Sequence, residues 1–156
     1  MDLSGFEIST EIDSGGAYAW WRARRLSDGC QVLLRTPRDG EATPEARRLF
    51  EREVEVSRDL EAGTGLLKAI DLVESEDGPV LVLDHAPGSP LQGFLNQRAE
   101  PVAQTTVLKI ASHLAQALST LHRRDLIHRD LRPANIFYDE ASGSCLLYTS
   151  PSPRDS

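Results

Sequence analysis

Cysteine and histidine are scarce in this sequence, and neither is arranged to hold a metal. Only two of the 156 residues are cysteines, Cys30 and Cys145, and they stand far apart. Neither these nor the four histidines show the short spacings of a zinc site. A structural metal is therefore not expected, and a reducing, cytoplasmic setting is the default expectation.

Long apolar runs and a basic charge balance are also missing. Runs such as Val80 to Leu83 are far too short to cross a bilayer. The start, MDLSGFEIST, lacks the basic residues and the apolar stretch of a secretion signal. Asp and Glu outnumber Lys and Arg by 24 to 17, which gives a net charge of -7. That balance favours solubility and argues against a general nucleic-acid or anionic-membrane surface.

Alternating apolar residues and turn signals in the first half of the chain predict a small antiparallel sheet. The turn signals are Asp13-Ser14-Gly15-Gly16, Ser27-Asp28-Gly29 and Glu76-Asp77-Gly78. Short segments between them alternate or are rich in β-branched and aromatic residues. The predicted strands are Phe6–Ile12, Tyr18–Arg24, Gln31–Arg35, Leu67–Val73 and Pro79–Leu83.

Two helices are predicted. The first begins at Thr43-Pro44-Glu45, which supplies an N-cap, a proline at the first helical position and an acid in the first turn. Its core-facing side is predicted to hold Leu49, Phe50, Val54, Ser57 and Leu60. The second helix, Thr105–Leu121, follows a linker at Pro87-Gly88-Ser89-Pro90. Its apolar stripe is wide enough for a helix buried in a core, and consists of Val107, Ile110, Ala111, Leu114, Ala117, Leu118 and Leu121.

The strongest chemical signal is His128-Arg129-Asp130 followed, five residues after the aspartate, by Asn135. This matches the catalytic-loop pattern H-R-D-L-x-x-x-N. Phosphoryl transfer explains the spacing, because one carboxylate must orient and deprotonate the attacking hydroxyl while an amide oxygen coordinates magnesium beside the phosphates. A short loop with a proline can place both groups on one side of a cleft.

From about Phe6 to Ser144 the chain resembles bacterial members of the eukaryotic-like (Hanks-type) Ser/Thr protein kinase family. The resemblance implies an α+β, protein-kinase-like fold. A five-stranded antiparallel small lobe with one helix would occupy residues 1–86, and a partial helical large lobe residues 87–144. It implies ATP and magnesium as cofactors and a protein substrate that the sequence does not identify. Asp130, Arg132 and Asn135 would be catalytic, with Asn135 a magnesium ligand.

The same resemblance assigns a nucleotide site. Leu83 would be the gatekeeper, and backbone groups of Asp84 and Ala86 would hydrogen-bond adenine. Glu53 is an acid among core-facing residues and needs a partner, which the resemblance places at position 35. The full set of implied ATP-binding residues is Ile12, Gly15, Gly16, Trp20, Leu33, Arg35, Glu53, Leu83, Asp84, Ala86 and Phe137.

Three departures from the family pattern keep other functions open. Asp13 replaces the first loop glycine, Tyr18 stands where a third glycine or small residue is usual, and Arg35 replaces the lysine of strand three. A planar guanidinium does not reproduce a compact ammonium aimed between two phosphates. In a kinase that works below its potential, Arg35→Lys is therefore expected to raise the rate or tighten nucleotide binding, whereas in a pseudokinase it is expected to change nothing in transfer. The alternatives are a pseudokinase that binds nucleotide or regulates, and a small-molecule phosphotransferase of the aminoglycoside-kinase type.

Segments such as FEIST, VLLRTP and LVLDHAPGSPL are most similar to the N-terminal kinase module of large bacterial signalling proteins, in which an ATPase and often a sensor histidine kinase follow. Further signalling domains are therefore expected in the intact parent.

The end of the chain has a different character. Cys145–Asp155, CLLYTSPSPRD, resembles one reading frame of a transposase sequencing adaptor, so residues 145–156 are expected to be non-native. The chain would then stop before the Asp-Phe-Gly metal motif and be inactive. Ile136–Tyr138 is predicted to be a strand and Asp139–Ser144 a hairpin loop. CLLYT is apolar enough to pair with residues 136–138.

Overall fold

The computed structural model describes residues 2–12, 17–38, 42–60, 63–128, 131–148 and 152–153. They form two compact units. The first comprises Met1–Asp59 and Lys68–Ala86, and the second Leu60–Leu67 and Pro87–Ser156. A five-stranded antiparallel sheet with few helices confirms the predicted α+β, protein-kinase-like fold. Within the part described, no helix is long and apolar enough to cross a membrane.

The described elements follow the chain in a simple order. The helices are α1 (Pro44–Ser57), α2 (Leu91–Asn96) and α3 (Gln104–Arg123). The strands are β1 (Phe6–Ile12), β2 (Tyr18–Arg25), β3 (Gln31–Pro37), β4 (Leu66–Leu67), β5 (Ala69–Ser75), β6 (Gly78–Asp84), β7 (Ser89–Pro90), β8 (Leu126–Ile127), β9 (Ile136–Tyr138), β10 (Cys145–Tyr148) and β11 (Ser152–Pro153).

The sheet of the first unit has the order β1-β2-β3-β6-β5, with every pairing antiparallel. Its central strands are apolar on both sides, since Val32, Leu33 and Leu34 of β3 are all buried. One cluster on this sheet joins Leu3 of the N-terminal segment to buried side chains of β2, β3 and β6. The prediction of a single strand from Leu67 to Val73 is wrong. The segment divides at Lys68 into β4, which belongs to the second unit, and β5, which belongs to the first.

Helix α1 begins as predicted, because the Thr43 hydroxyl accepts a hydrogen bond from the Ala46 N–H at 3.1 Å and Pro44 stands at the first position. Its predicted buried face is partly wrong. Phe50 and Ser57 are buried, but Leu49 is 36 % exposed. The remaining buried positions are Ala46 and Glu53. Their spacing centres the buried stripe on the Ala46–Phe50–Glu53–Ser57 row, which leaves Leu49 at its edge.

The second unit is built on α3 and a four-stranded sheet of order β4-β10-β9-β7. Ala117 and Leu121 of α3 join a core with side chains of β4, β9 and β10. The apolar stripe is buried only in part, because Val107 is 49 % exposed and Ala111 is also exposed. The core reaches only the C-terminal part of the helix, with Ile110, Leu114 and Leu118 partly buried against it.

The predicted linker is an ordered part of the second unit. Ser89 and Pro90 form β7, which pairs antiparallel with β9, and α2 follows directly. Gly88 has a φ of +81°, and a Cβ there would lie 2.0 Å from the carbonyl oxygen of Tyr138. Only glycine allows this approach of two backbone segments.

The segment that resembles translated adaptor is folded into the same unit. β10 pairs antiparallel with β9, with Leu146 opposite Phe137, and parallel with β4. The predicted pairing of CLLYT with residues 136–138 is therefore confirmed. The hairpin loop before it closes through a 2.9 Å bond from the Asp139 N–H to the Ser144 carbonyl. Leu147 is fully buried and donates its N–H to Gly65 at 2.9 Å.

Candidate active site

The catalytic loop lies between β8 and β9, and the structure describes it on either side of the predicted base. Arg129 and Asp130 are outside the described residues. After them Pro133–Asn135 forms a single 3-10 turn, in which the Asn135 N–H donates to the Arg132 carbonyl at 2.9 Å. Asn135 is buried and leads directly into β9. A proline-led turn thus fixes the amide at the start of a strand, whereas the Arg132 side chain is exposed.

His128 braces the loop from its other end. Its ring is buried, and Nε2 lies 2.8 Å from the carbonyl oxygen of Tyr148 in β10. A carbonyl oxygen only accepts, so this contact requires the proton on Nε2. His128 therefore ties the predicted catalytic loop to β10. Phe137, also buried, lies opposite Pro90 of β7 and Leu146 of β10.

In the first unit, strand register brings the predicted nucleotide-binding side chains together. Trp20 faces Arg35 across the β2–β3 pairing, and Leu33 faces Leu83 across the β3–β6 pairing. Trp20, Leu33, Leu83 and Ala86 are all fully buried. A ligand that contacts these side chains must displace the groups that now cover them. Ile12 is half-buried at the end of β1, and Gly15 and Gly16 lie outside the described residues.

The backbone groups of Asp84 and Ala86, which are predicted to bond adenine, already use part of their hydrogen-bonding capacity. The Asp84 N–H donates to the Lys68 carbonyl at 2.9 Å. Nη1 of Arg22 donates to the Ala86 carbonyl, also at 2.9 Å. A purine would therefore have to bond the carbonyl of Asp84 and the N–H of Ala86. The Arg22 contact was not predicted, although the period of two places residue 22 on the same strand face as Trp20.

Arg35 has aromatic neighbours that sequence reasoning missed. Its guanidinium carbon lies 4.7 Å from the ring centroid of Tyr18 and 4.7 Å from that of Trp20. The Tyr18 ring in turn packs on Phe50 of α1, with centroids 5.7 Å apart and planes tilted by 53°. Glu53, on the same helix, is only 2 % exposed, so it faces the core as predicted. Its pairing with Arg35 stays a prediction.

Magnesium fits the described residues only in part. The amide of Asn135 is an acceptable oxygen ligand, but the ion prefers carboxylates and near-octahedral geometry. Across residues 2–12, 17–38, 42–60, 63–128, 131–148 and 152–153, no group of three or more His, Cys, Asp or Glu side chains is placed to hold a metal. The role of Asn135 as a magnesium ligand stays a prediction.

The buried thiol of Cys145 has an altered acidity. Burial raises its pKa to about 11, because a charged thiolate is poorly solvated inside the core. At neutral pH the group is a protonated, apolar core side chain. Because the thiolate is the reactive form, this side chain is not suited to act as a nucleophile or a metal ligand.

Comparison with known families decides the classification. The family model described as "Protein kinase domain" matches residues 6–147. The chain belongs to the protein kinase domain family. The match extends into the strand Cys145–Tyr148, whose apolar residues suit the position after the hairpin.

Curated relatives of this kinase domain include Ser/Thr kinases from bacteria, plants and animals. The serine/threonine-protein kinase AfsK of Streptomyces griseus is 31% identical over 139 residues, which is 88% of this chain and 17% of that protein. ATG1a of Arabidopsis thaliana is 24% identical over 145 residues, 93% of this chain and 23% of that protein. The kinase pkn3 of Myxococcus xanthus is 29% identical over 136 residues, 86% of this chain and 24% of that protein. The chain thus spans less than a quarter of each of these relatives.

Proposed function

We propose that the parent of this kinase domain binds magnesium-ATP and transfers the γ-phosphate to Ser/Thr hydroxyls of a protein in bacterial signalling. The observation that carries the proposal is the catalytic loop. Its histidine is buried and anchored to β10, and its asparagine is fixed by a proline-led turn at the start of β9. A loop held at both ends can present a base and a metal ligand in fixed geometry, which phosphoryl transfer requires.

The roles of the loop residues follow from their chemistry. Asp130 orients the substrate hydroxyl and accepts its proton as the oxygen attacks the γ-phosphorus. Arg132, whose side chain is exposed, offers positive charge to the transferring phosphoryl group. Asn135 contributes an amide oxygen to magnesium. When bound, that ion neutralises charge on the phosphate oxygens.

The first unit would hold the nucleotide. Leu33, Leu83 and Trp20 supply apolar contacts for the base, and the backbone of Asp84 and Ala86 supplies its hydrogen bonds. Ile12, Gly15 and Gly16 would cover the phosphates or the base from the loop after β1. Phe137, in the second unit, is the remaining residue of the proposed ATP-binding set. Arg35 and Glu53 would act on the phosphate side as a charged pair.

The 156-residue chain itself is proposed to be inactive. Its sequence contains no Asp-Phe-Gly, the motif whose aspartate is the main carboxylate ligand for magnesium in this family. We infer that residues 145–156 are derived from adaptor sequence and stand where the native strand and that motif belong. Weak binding of nucleotide without transfer is compatible with this proposal.

A pseudokinase is the second candidate function. Arg35 in the lysine position, lying over two aromatic rings, favours it because the residue that usually aligns phosphates has other contacts. The intact Asp130 and Asn135 argue against it. The relatives named above are protein kinases, which supports a protein substrate over a small molecule of the aminoglycoside type.

The substitution Asp130→Asn in the parent separates the two candidates. It should lower turnover by about two to four orders of magnitude, the usual scale of a positioned base, while nucleotide affinity changes little. Asp125→Asn is a matched control, because Asp125 lies just before β8 with a φ of 57°, which asparagine also tolerates. The control should keep full turnover. A wild-type parent as inert as Asp130→Asn would support the pseudokinase.

A further inference from the structure

Two departures from the kinase pattern, at positions 18 and 35, meet in the structure. The guanidinium carbon of Arg35 lies over the rings of both Tyr18 and Trp20, 4.7 Å from each centroid. Both distances are within the range at which a cation is attracted to an aromatic face. A tyrosine in place of a small residue and an arginine in place of lysine are therefore parts of one contact.

Strand geometry explains why the three side chains meet. Tyr18 and Trp20 are alternate residues of β2 and so project from the same face of the strand. Trp20 is paired directly with Arg35 of β3, and side chains in such pairs lie within contact distance. Trp20 is fully buried, and a cation–π contact is stronger when it is shielded from water.

The contact also reaches α1. Tyr18 packs on Phe50, which is fully buried. Phe50 lies one helical turn before Glu53, so both residues project from one side of α1. The aromatic side chains thus link the position of the guanidinium to β2, β3 and α1 together.

We propose that Tyr18 is a positioning residue that, together with Trp20, fixes the guanidinium plane of Arg35 and makes the site require arginine rather than lysine. A guanidinium whose face lies on aromatic rings keeps its edge, which carries the N–H donors, for phosphate or carboxylate oxygens. An ammonium has no such plane to orient. The expected effect on ATP binding rests on the proposed nucleotide-binding function.

This proposal reverses one expectation from the sequence. Considered alone, Arg35 suggested that Arg35→Lys would improve the site. With Tyr18 and Trp20 in contact, the lysine variant loses the oriented plane while the bulky Tyr18 remains. It should therefore weaken ATP binding rather than strengthen it.

The test measures the affinity of the full 156-residue chain for ATP and for adenosine, by displacement of a fluorescent ATP analogue. Tyr18→Leu and Arg35→Lys should each weaken ATP binding about tenfold, which corresponds to about 1.4 kcal/mol, and leave adenosine affinity within about twofold. Tyr18→Phe keeps the ring and should bind ATP like the wild type. The double variant should lose about tenfold, not a hundredfold, because both changes remove the same contact.

Several results would overturn the proposal: unchanged ATP affinity in Tyr18→Leu, tighter binding in Arg35→Lys, multiplicative losses in the double variant, or equal losses for ATP and adenosine. A wild-type chain that binds neither ligand rejects nucleotide binding by this chain instead. In that case urea unfolding of the wild type, Tyr18→Leu, Arg35→Lys and the double variant decides on the contact itself. The contact is supported if the effects of the two changes on the folding equilibrium deviate from independence by roughly five- to thirtyfold. Independent effects refute the contact.

Discussion

The two units differ in what completes their cores. The sheet of the first unit takes all five strands from residues before Pro87. The sheet of the second unit takes one of its inner strands, β10, from the segment that resembles translated adaptor, and Cys145, Leu147 and Tyr148 are buried there. An inner strand needs backbone pairing and apolar side chains more than any particular sequence. An apolar segment of suitable length can therefore fill this structural position whether or not it carries the chemistry expected next to it.

The largest effect is expected from removing that strand. A chain ending at Ser144 loses β10 and with it the buried side chains of Leu147 and Tyr148. Losing such side chains from a core costs roughly 5 kcal/mol or more, which approaches the whole stability of a small domain. Hydrogen exchange should show protection lost across α3 and β9 while the five-stranded sheet keeps most of its protection.

A chain ending at Tyr148 is the matched control for that deletion. It keeps β10 and its pairing with β9, and the terminal carboxylate of Tyr148 still offers an oxygen acceptor to His128. Its exchange pattern should resemble that of the full chain. Equal protection in both shortened chains would mean that β10 does not complete the second unit.

A smaller effect, again confined to the second unit, is expected from Gly88→Ala. The new Cβ would meet the Tyr138 carbonyl oxygen, and the positive φ disfavours alanine as well. We expect a loss of about 2 to 4 kcal/mol in the free energy of unfolding, measured with urea. Gly93→Ala, in α2 with nothing within 4 Å of the new Cβ, should be neutral or slightly stabilising. Similar effects at both positions would contradict the conclusion that Gly88 is held against Tyr138 in an ordered segment.

The mildest experiment compares the alkylation rates of two cysteines, one from each unit. Cys30 is exposed and Cys145 is buried. Because burial raises the pKa of Cys145 to about 11, little of it is thiolate at pH 8, and its reactivity should rise only as the pH approaches that value or the unit opens. Iodoacetamide should modify Cys30 first, as followed by peptide mass spectrometry. Equal rates at pH 8 in the native chain would show that β10 is not docked.

Local signals predicted much of the fold. The bounds of β1 and β9 were predicted without error, and β2, β3 and β6 differ from prediction by at most two residues. Alternation and turn residues determine such strands, and Thr43 with Pro44 determines the start of α1. The six-residue α2 was missed because it has no side-chain cap and lies among the turn formers that suggested a linker.

The rest of the candidate site depends on contacts between distant residues. The catalytic-loop pattern identified Asn135 and His128 as a motif, but not the bond from His128 to Tyr148. The bond from Arg22 to Ala86 spans 64 positions, and the aromatic neighbours of Arg35 depend on strand register. Exposure at Leu49 and Val107 depends on which neighbouring elements cover each helix, which periodicity alone does not determine.

The most direct test of our central proposal, that the native sequence of this kinase domain is interrupted after Ser144, is long-read sequencing of the source DNA across that point. We expect about four mostly apolar residues after Ser144, since a native strand must pair with β9 as β10 does here. Asp-Phe-Gly or a close variant should follow within roughly ten residues. A true stop codon after Ser156, with CLLYTSPSPRDS intact, would contradict the claim.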